Sequence, residues 1–228
     1  MTMTMTPPTL AVFGWLLAAY LFGSIPTSLL AARWAGGIDL REFGSKNLGA
    51  TNLYRALGLK VAIPVGVFDV LKGTIPVVLA RVFHSGQLGG SPSEYWPMAV
   101  GLAAVLGHVF SPFVRFRGGK GVATAAGVFT GLVPLAVLVG IVVWVIVVRV
   151  TGYVSLGSML AVAAFAAAVP PLYPNWRIVT SAGLIILAFV VFTHRANIKR
   201  LFAGTENRFG RSKEGNETNR TSPPEGAT

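Results

Sequence analysis

Gly107-His108-Val109-Phe110-Ser111-Pro112-Phe113-Val114-Arg115-Phe116-Arg117-Gly118-Gly119-Lys120-Gly121-Val122-Ala123-Thr124 interrupts two long apolar runs with three cations and a glycine cluster. Apolar sequence on either side makes it a connection between membrane-embedded helices. Glycines allow consecutive backbone N–H groups to face one concavity, and a helix starting at Val122 would add its positive N-terminal end. The stretch therefore reads as an anion site. Its other reading is that Arg115, Arg117 and Lys120 are topology signals flanking a span. A Walker A loop is excluded, because Gly121 follows Gly119-Lys120 where Ser or Thr is required and Val114 stands where the first glycine belongs.

The rest of the chain supports the membrane reading. Its 228 residues suit one domain, but 53% hydrophobic against 12% charged is not the balance of a water-soluble globule. A net charge of +11 raises nucleic acid as a partner, yet the basic residues fall between apolar spans and not on one soluble face. No nucleic-acid role is expected. The absence of cysteine excludes a disulfide framework, a thiolate nucleophile and a Cys-based metal site.

Met1–Pro8 lacks the basic segment of a cleaved signal peptide. A first span is expected over Thr9–Ala32, broken at Gly23-Ser24-Ile25-Pro26, where freed carbonyls need packed polar partners. Ser24 can also bond its own backbone. Residues 33–60 form a polar loop carrying Ser45, Asn47, Thr51, Asn52 and Arg55. These side chains can offer neutral donors plus charge to a polyol phosphate, or serve as ordinary turn and cap residues. The second span, Val61–Phe83, places Asp69 and Lys72 three residues apart on one helical face, where charge is costly unless paired. A structural ion pair is the expectation, with a site role as the alternative. A Gly/Ser turn over His84–Ser93 and a third span ending at Val114 lead into the opening stretch.

From Gly121 to Val150 a single helix would be about 45 Å long, exceeding a ~30 Å hydrocarbon core, and Gly131 and Pro134 offer a break. Two spans, 121–133 and 134–150, followed by Val154–Pro171 and Arg177–Thr193, complete a seven-helix, all-α integral membrane protein. In that layout sixteen of nineteen Lys and Arg fall on one side, with Arg81 and Arg177 opposite and Lys72 inside a span. The positive-inside tendency then puts the N-terminus outside, the C-terminus in the cytoplasm, and the loops of Ser45, Lys120 and His194 on one cytoplasmic face. His194 and Asn197 share a helical face at the end of the last span; imidazole there can act as base, acid or phosphate donor, or the segment is a cationic helix end lying on the bilayer. Residues 1–208 read as one membrane domain and 209–228 as a disordered cytoplasmic tail.

Taken together, Gly44-Ser45…Asn47-Leu48-Gly49-Ala50-Thr51-Asn52…Arg55, Asp69…Lys72-Gly73, Gly107-His108…Gly118-Gly119-Lys120-Gly121-Val122-Ala123-Thr124 and His194-Arg195…Asn197-Ile198…Arg200-Leu201…Gly204…Glu206 resemble the bacterial acyl-phosphate:glycerol-3-phosphate acyltransferases, the PlsY family. Four motifs in the same order, from about Leu10 to Arg208, make the resemblance specific. It implies a multi-pass enzyme of the bacterial cytoplasmic membrane that moves an acyl chain from acyl phosphate to the sn-1 hydroxyl of glycerol 3-phosphate. The products are 1-acyl-glycerol 3-phosphate, or lysophosphatidate, and phosphate, in the first acylation of phospholipid biosynthesis. By match to the motifs, Ser45, Lys120 and His194 are the catalytic candidates, and with Arg55 and Asn197 they would hold the glycerol phosphate and the reacting centre. Gly118, Gly119, Gly121, Asn47, Thr51 and Ser155 or Ser158 would surround the acyl phosphate. The same motifs carry Asn52, Arg195 and Glu206 as further substrate-binding candidates. The resemblance implies no cofactor, and a functional link to the enzyme that makes acyl phosphate. One position departs from it: Lys46 stands where the family usually has Gly.

The chemistry of the residues agrees. Two phosphorylated reactants can be brought together only by concentrated positive charge. An acyl phosphate is a mixed anhydride with a good leaving group, so neither a metal nor a covalent intermediate is required. No His is followed five positions later by Asp, since Gly89, Phe113 and Lys199 occupy those places, which argues against the His-x4-Asp acyltransferases. A transporter or flippase for a phosphorylated solute is the competing class, favoured by the broken span and the intramembrane pair. Polar clusters on one face and the lack of a visible inverted repeat weigh against it.

Overall fold

The computed structural model describes residues 9–87 and 95–210, and among these the regular structure is all helical. Met1–Pro8, the 88–93 part of the expected turn and residues 211–228 of the expected tail lie outside the described residues. In chain order the helices are α1 (Thr9–Ser24), α2 (Thr27–Gly36), α3 (Ala50–Leu57), α4 (Leu59–Gln87), α5 (Tyr95–Val109), α6 (Val122–Leu132), α7 (Pro134–Thr151), α8 (Val154–Leu172), α9 (Arg177–Thr193) and α10 (Arg195–Phe202).

Among the described residues, five stretches are long and apolar enough to cross a bilayer: Ala11–Gly36, Leu59–Phe83, Tyr95–Val114, Pro134–Thr151 and Val154–Leu172. Helices α9 and α10, bent by 59° at His194, supply a sixth as a broken span. Apolar α6 is shorter: its eleven residues rise about 16 Å, well under a ~30 Å core. The structure therefore shows five to six candidate spans, where the sequence leads to an expectation of seven. Large apolar side chains stand exposed along the spans, among them Phe13, Ile63, Val82, Leu138 and Ile185, an exterior suited to lipid.

The break near Pro26 is present, and its carbonyls are satisfied from neighbouring helices. Ser111 Oγ donates to Ser24 O at 2.6 Å and Lys72 Nζ donates to Ile25 O at 2.7 Å. Ser24 Oγ donates to Tyr20 O in its own helix. Asp69 and Lys72 form the expected ion pair at 2.7 Å, both buried, and Thr27 Oγ1 adds a 2.7 Å bond to the same carboxylate oxygen. The break after Leu132 is also as expected, with Pro134 opening α7 where its missing N–H costs nothing.

Three boundaries differ from expectation. The polar loop contains a short amphipathic helix, α3, whose Leu53 is fully buried against α2 and α4 while Tyr54 and Arg55 are half-exposed. The second span continues as helix through Gln87, into the expected turn. Phe209, assigned to the tail, is docked: its N–H donates to Gly152 O at 2.7 Å and its ring stacks on Tyr54 at 4.4 Å. Helices α4 and α6 approach closely because Gly73 and Gly127 face each other's backbone, where a side chain on either would meet Thr124 O or Val70 O. That contact fixes the start of α6, and with it the glycine stretch, against the middle of α4.

Candidate active site

One cavity of about 410 Å³ is lined by residues from the polar loop, α3, the glycine stretch, α6 to α8, and the α9–α10 bend. Ser45, Asn47, Thr51 and Arg55 reach it from the first cluster, Lys120 and Gly121 from the second, and His194, Asn197 and Glu206 from the third. Three clusters far apart in sequence thus share one mouth. Ser155 and Ser158, at the start of α8, line the same end. Beyond it the lining turns apolar, through Val122, Phe129, Ile141, Trp144, Ala161 and Phe165.

A connected polar network forms one wall. Lys120 Nζ donates to Asn197 Oδ1, and Asn197 Nδ2 donates to Glu206 Oε1 at 2.7 Å. Ser155 Oγ donates to the same oxygen at 2.9 Å, and Arg200 Nε donates to Glu206 Oε2 at 2.7 Å. Burial pushes the Glu206 carboxyl up, but the bonds from Asn197, Arg200 and Ser155 together hold it below its ordinary value. Burial draws Lys120 down to about 8, with Glu206 opposing and Arg200 and Arg55 adding to the fall. Burial also lowers Arg55 from its ordinary value. His194 Nδ1 lies 2.8 Å from Val190 O, a group that can only accept, so the neutral ring carries its proton there and leaves Nε2 as its acceptor.

A second group of lining side chains is unpaired. Among the described residues, the side chains of Ser45, Asn47, Thr51 and Arg55 bond to no other protein group. They are the groups free to meet a ligand. Helix α6 also opens at the cavity, with Gly121, Val122 and Ala123 in the lining and its first N–H groups lacking intrahelical acceptors.

Other candidates sit elsewhere. Gly118 N–H donates to Val109 O at 2.9 Å and Gly119 N–H to His108 O at 3.1 Å, so both amides cap the end of α5 and lie behind the cavity wall. Asn52 is at the cavity edge but its amide is committed to the loop: it accepts from Ser45 N–H at 3.0 Å and donates to Phe43 O at 3.0 Å and Leu40 O at 3.4 Å. It positions Ser45. Arg195 is exposed, lies over the Phe192 ring and is outside the cavity lining. Lys46 is exposed with φ 58°, the left-handed region that glycine adopts without strain, so the turn geometry survives the departure at some steric cost. Two lining residues that the motifs leave without a role, Asp69 and His108, lie together behind the glycine stretch.

A multi-span membrane protein whose cavity has cations and amide donors at one end and hydrocarbon at the other is built for a ligand that is anionic at its head and apolar along its tail. The family model described as glycerol-3-phosphate acyltransferase matches residues 13–204. The chain belongs to that family. A glycerol-3-phosphate acyltransferase of Geotalea daltonii is 50% identical over 196 residues, covering 86% of this chain and 96% of the relative. A Thermus thermophilus protein of the same name is 47% identical over 203 residues, covering 87% and 96%. The crystal structure of PlsY (YgiH), an integral membrane glycerol 3-phosphate acyltransferase in its glycerol 3-phosphate form, superposes with TM-score 0.78 at 38% identity, covering 88% of this chain and 96% of that one.

Proposed function

We propose that this protein transfers an acyl chain from acyl phosphate to the sn-1 hydroxyl of glycerol 3-phosphate, releasing lysophosphatidate and phosphate in a bacterial inner membrane. One observation carries the reading: one cavity joins a polar mouth carrying the cations Arg55 and Lys120 and the neutral His194 ring to an apolar channel between α6, α7 and α8. The hydroxyl oxygen attacks the acyl carbonyl carbon, the carbon–oxygen bond to phosphate breaks, and phosphate leaves with the bonding pair. Lys120 and Arg55 stabilise the charge that develops on the phosphate oxygens, assisted by the α6 N-terminus. Ser45, Asn47 and Thr51 orient the reactants, and Asn197 fixes the Lys120 ammonium. The hydroxyl proton passes either to His194 Nε2 or to a substrate phosphate oxygen. Retention of most kcat in His194→Asn removes the first route.

The same reading has seven crossings, the N-terminus outside and the mouth of the cavity in the cytoplasm. Parity supports it. The bond from Ser155 to Glu206 holds the start of α8 beside the loop that follows α10, and Lys120 lines the same cavity mouth, an arrangement that fits α6 and α7 crossing as a pair. The absence of native cysteine allows single-cysteine labelling at Lys46, Arg117 and Arg195 with an impermeant maleimide, which should modify all three from the cytoplasmic side only. Acyl phosphate is reactive in water, so an enzyme forming it at the same membrane face is the functional partner this chemistry calls for.

Purified protein in detergent should form lysophosphatidate from acyl phosphate and glycerol 3-phosphate, and none from an acyl thioester. Movement of a solute across vesicles without ester formation would establish the transporter reading instead.

A further inference from the structure

His108 sits in α5 with its ring buried, and it holds the glycine stretch from two directions. Its backbone carbonyl accepts the Gly119 N–H at 3.1 Å, one residue after Gly118 N–H reaches Val109 O. Its side chain then wedges against Gly119 itself: a β-carbon built on Gly119 would collide with His108 Nε2, with Cδ2 and Cε1 each 3.0 Å away. The ring in turn is backed by Asp69, whose Oδ1 lies 3.8 Å from Nδ1. That carboxylate cannot swing away, because Lys72 Nζ and Thr27 Oγ1 each donate to the same oxygen at 2.7 Å. A charged cluster at membrane depth is costly even when paired, and such clusters mark functional positions by default.

We propose that His108 is a positioning residue: pressed between Asp69 and Gly119, its ring sets the path of the glycine stretch and so aims the next residue, Lys120, at Asn197 and the substrate phosphates. The inference rests on the acyltransferase reading above and adds a role for residues outside the reacting centre. The ring occupies the space a side chain at 119 would need, so the two positions are sterically coupled and should compensate each other.

The experiment compares wild type, His108→Ala, Gly119→Ala and the double variant, with lysophosphatidate formation measured against both substrates. Wild-type turnover is the separate check on the acyltransferase reading: its absence overturns that reading and, with it, this role for His108. Given turnover, Gly119→Ala should lose at least about 30-fold in kcat/KM and His108→Ala about 10-fold. The double variant should exceed Gly119→Ala by about fivefold or more, because removing the ring makes room for the added methyl. In His108→Ala the loss should fall on kcat and on KM for glycerol 3-phosphate, with KM for acyl phosphate within about twofold of wild type. A double variant no better than Gly119→Ala, or a His108→Ala loss spread equally over both KM values, overturns the proposal. If Gly119→Ala does not yield folded protein, recovery of a monodisperse species in the double variant supports the coupling and continued aggregation overturns it.

Discussion

Lys120 and Glu206 do not touch, yet Asn197 joins them: its carbonyl oxygen accepts from the ammonium and its amide donates to the carboxylate at 2.7 Å. Because an amide has one acceptor end and one donor end, the carboxylate fixes which end faces Lys120. Glu206→Gln puts a donor where an acceptor is needed by Ser155, Asn197 or Arg200, and frees Asn197 to flip. A charge-assisted bond of this kind contributes about 1.5–3 kcal/mol. The expected outcome is a fall in kcat/KM of about 10- to 100-fold with a lowered unfolding temperature, read by steady-state kinetics and thermal unfolding in detergent.

The pH dependence follows from the same wall. Lys120 titrates near 8 because burial disfavours its charged form, so the ammonium is present below that value and lost as pH rises through it. In the free enzyme kcat/KM should decline above about pH 8, with only about a tenth of Lys120 still protonated one pH unit higher. Glu206 opposes the fall, so Glu206→Gln should move this alkaline limb to lower pH. Lys120→Arg, which keeps its charge, should abolish the limb in whatever activity it retains. A wild-type profile flat to pH 10 would rule out a required ammonium that titrates near 8 at Lys120.

Much of this architecture is legible in the sequence because the bilayer restricts what a chain can do. Gly23 to Pro26 announces a break, and Asp69 with Lys72 must pair, since neither a bare carbonyl nor a bare charge is tolerated at that depth. The expected span parity puts Ser45, Lys120 and His194 near one another, and one cavity does join them. Helix α3 is hard to read in the sequence, because its eight residues follow the glycine-rich polar stretch 44–49 and look like more of the same loop until Leu53 finds its pocket. Nor does the sequence tell that Gly118 and Gly119 cap α5 while Gly121 faces the cavity: all three fit an anion-binding loop, and only the returning path of the chain along α5 separates them.

The first loop tests a different distinction. Asn52 holds Ser45 N–H and two carbonyls with one amide, so Asn52→Ala leaves three backbone groups to find other partners, at a cost of about 1–3 kcal/mol. Lower thermal stability and a raised KM for glycerol 3-phosphate are expected. Lys46→Gly nearby should be nearly neutral, because relief of the left-handed strain at φ 58° is offset by the entropy glycine loses on folding. Turnover of Lys46→Gly within about twofold of wild type is the expected result; a tenfold fall would place the Lys46 ammonium in contact with substrate.

The apolar end of the cavity should discriminate by acyl length. Ala161 is half-buried in the lining of α8 between Ser158, near the polar mouth, and Phe165, whose ring meets that of Phe129 with centroids 4.5 Å apart. From Ser155 to Phe165 the helix rises about 15 Å, so a chain anchored by its phosphate at the mouth must pass Ala161 to reach the aromatic pair. Ala161→Phe fills that passage without removing a polar contact. Long-chain acyl phosphates should lose at least about tenfold in kcat/KM while the shortest donors lose less than about threefold, since hydrocarbon they never place beyond residue 161 has nothing to lose. Kinetics over a donor series from hexanoyl to palmitoyl phosphate measures this directly. An equal loss at every length would mean that the acyl chain leaves the mouth by another route, toward the lipid-facing side of α6 and α7 at Thr130 and Ile141.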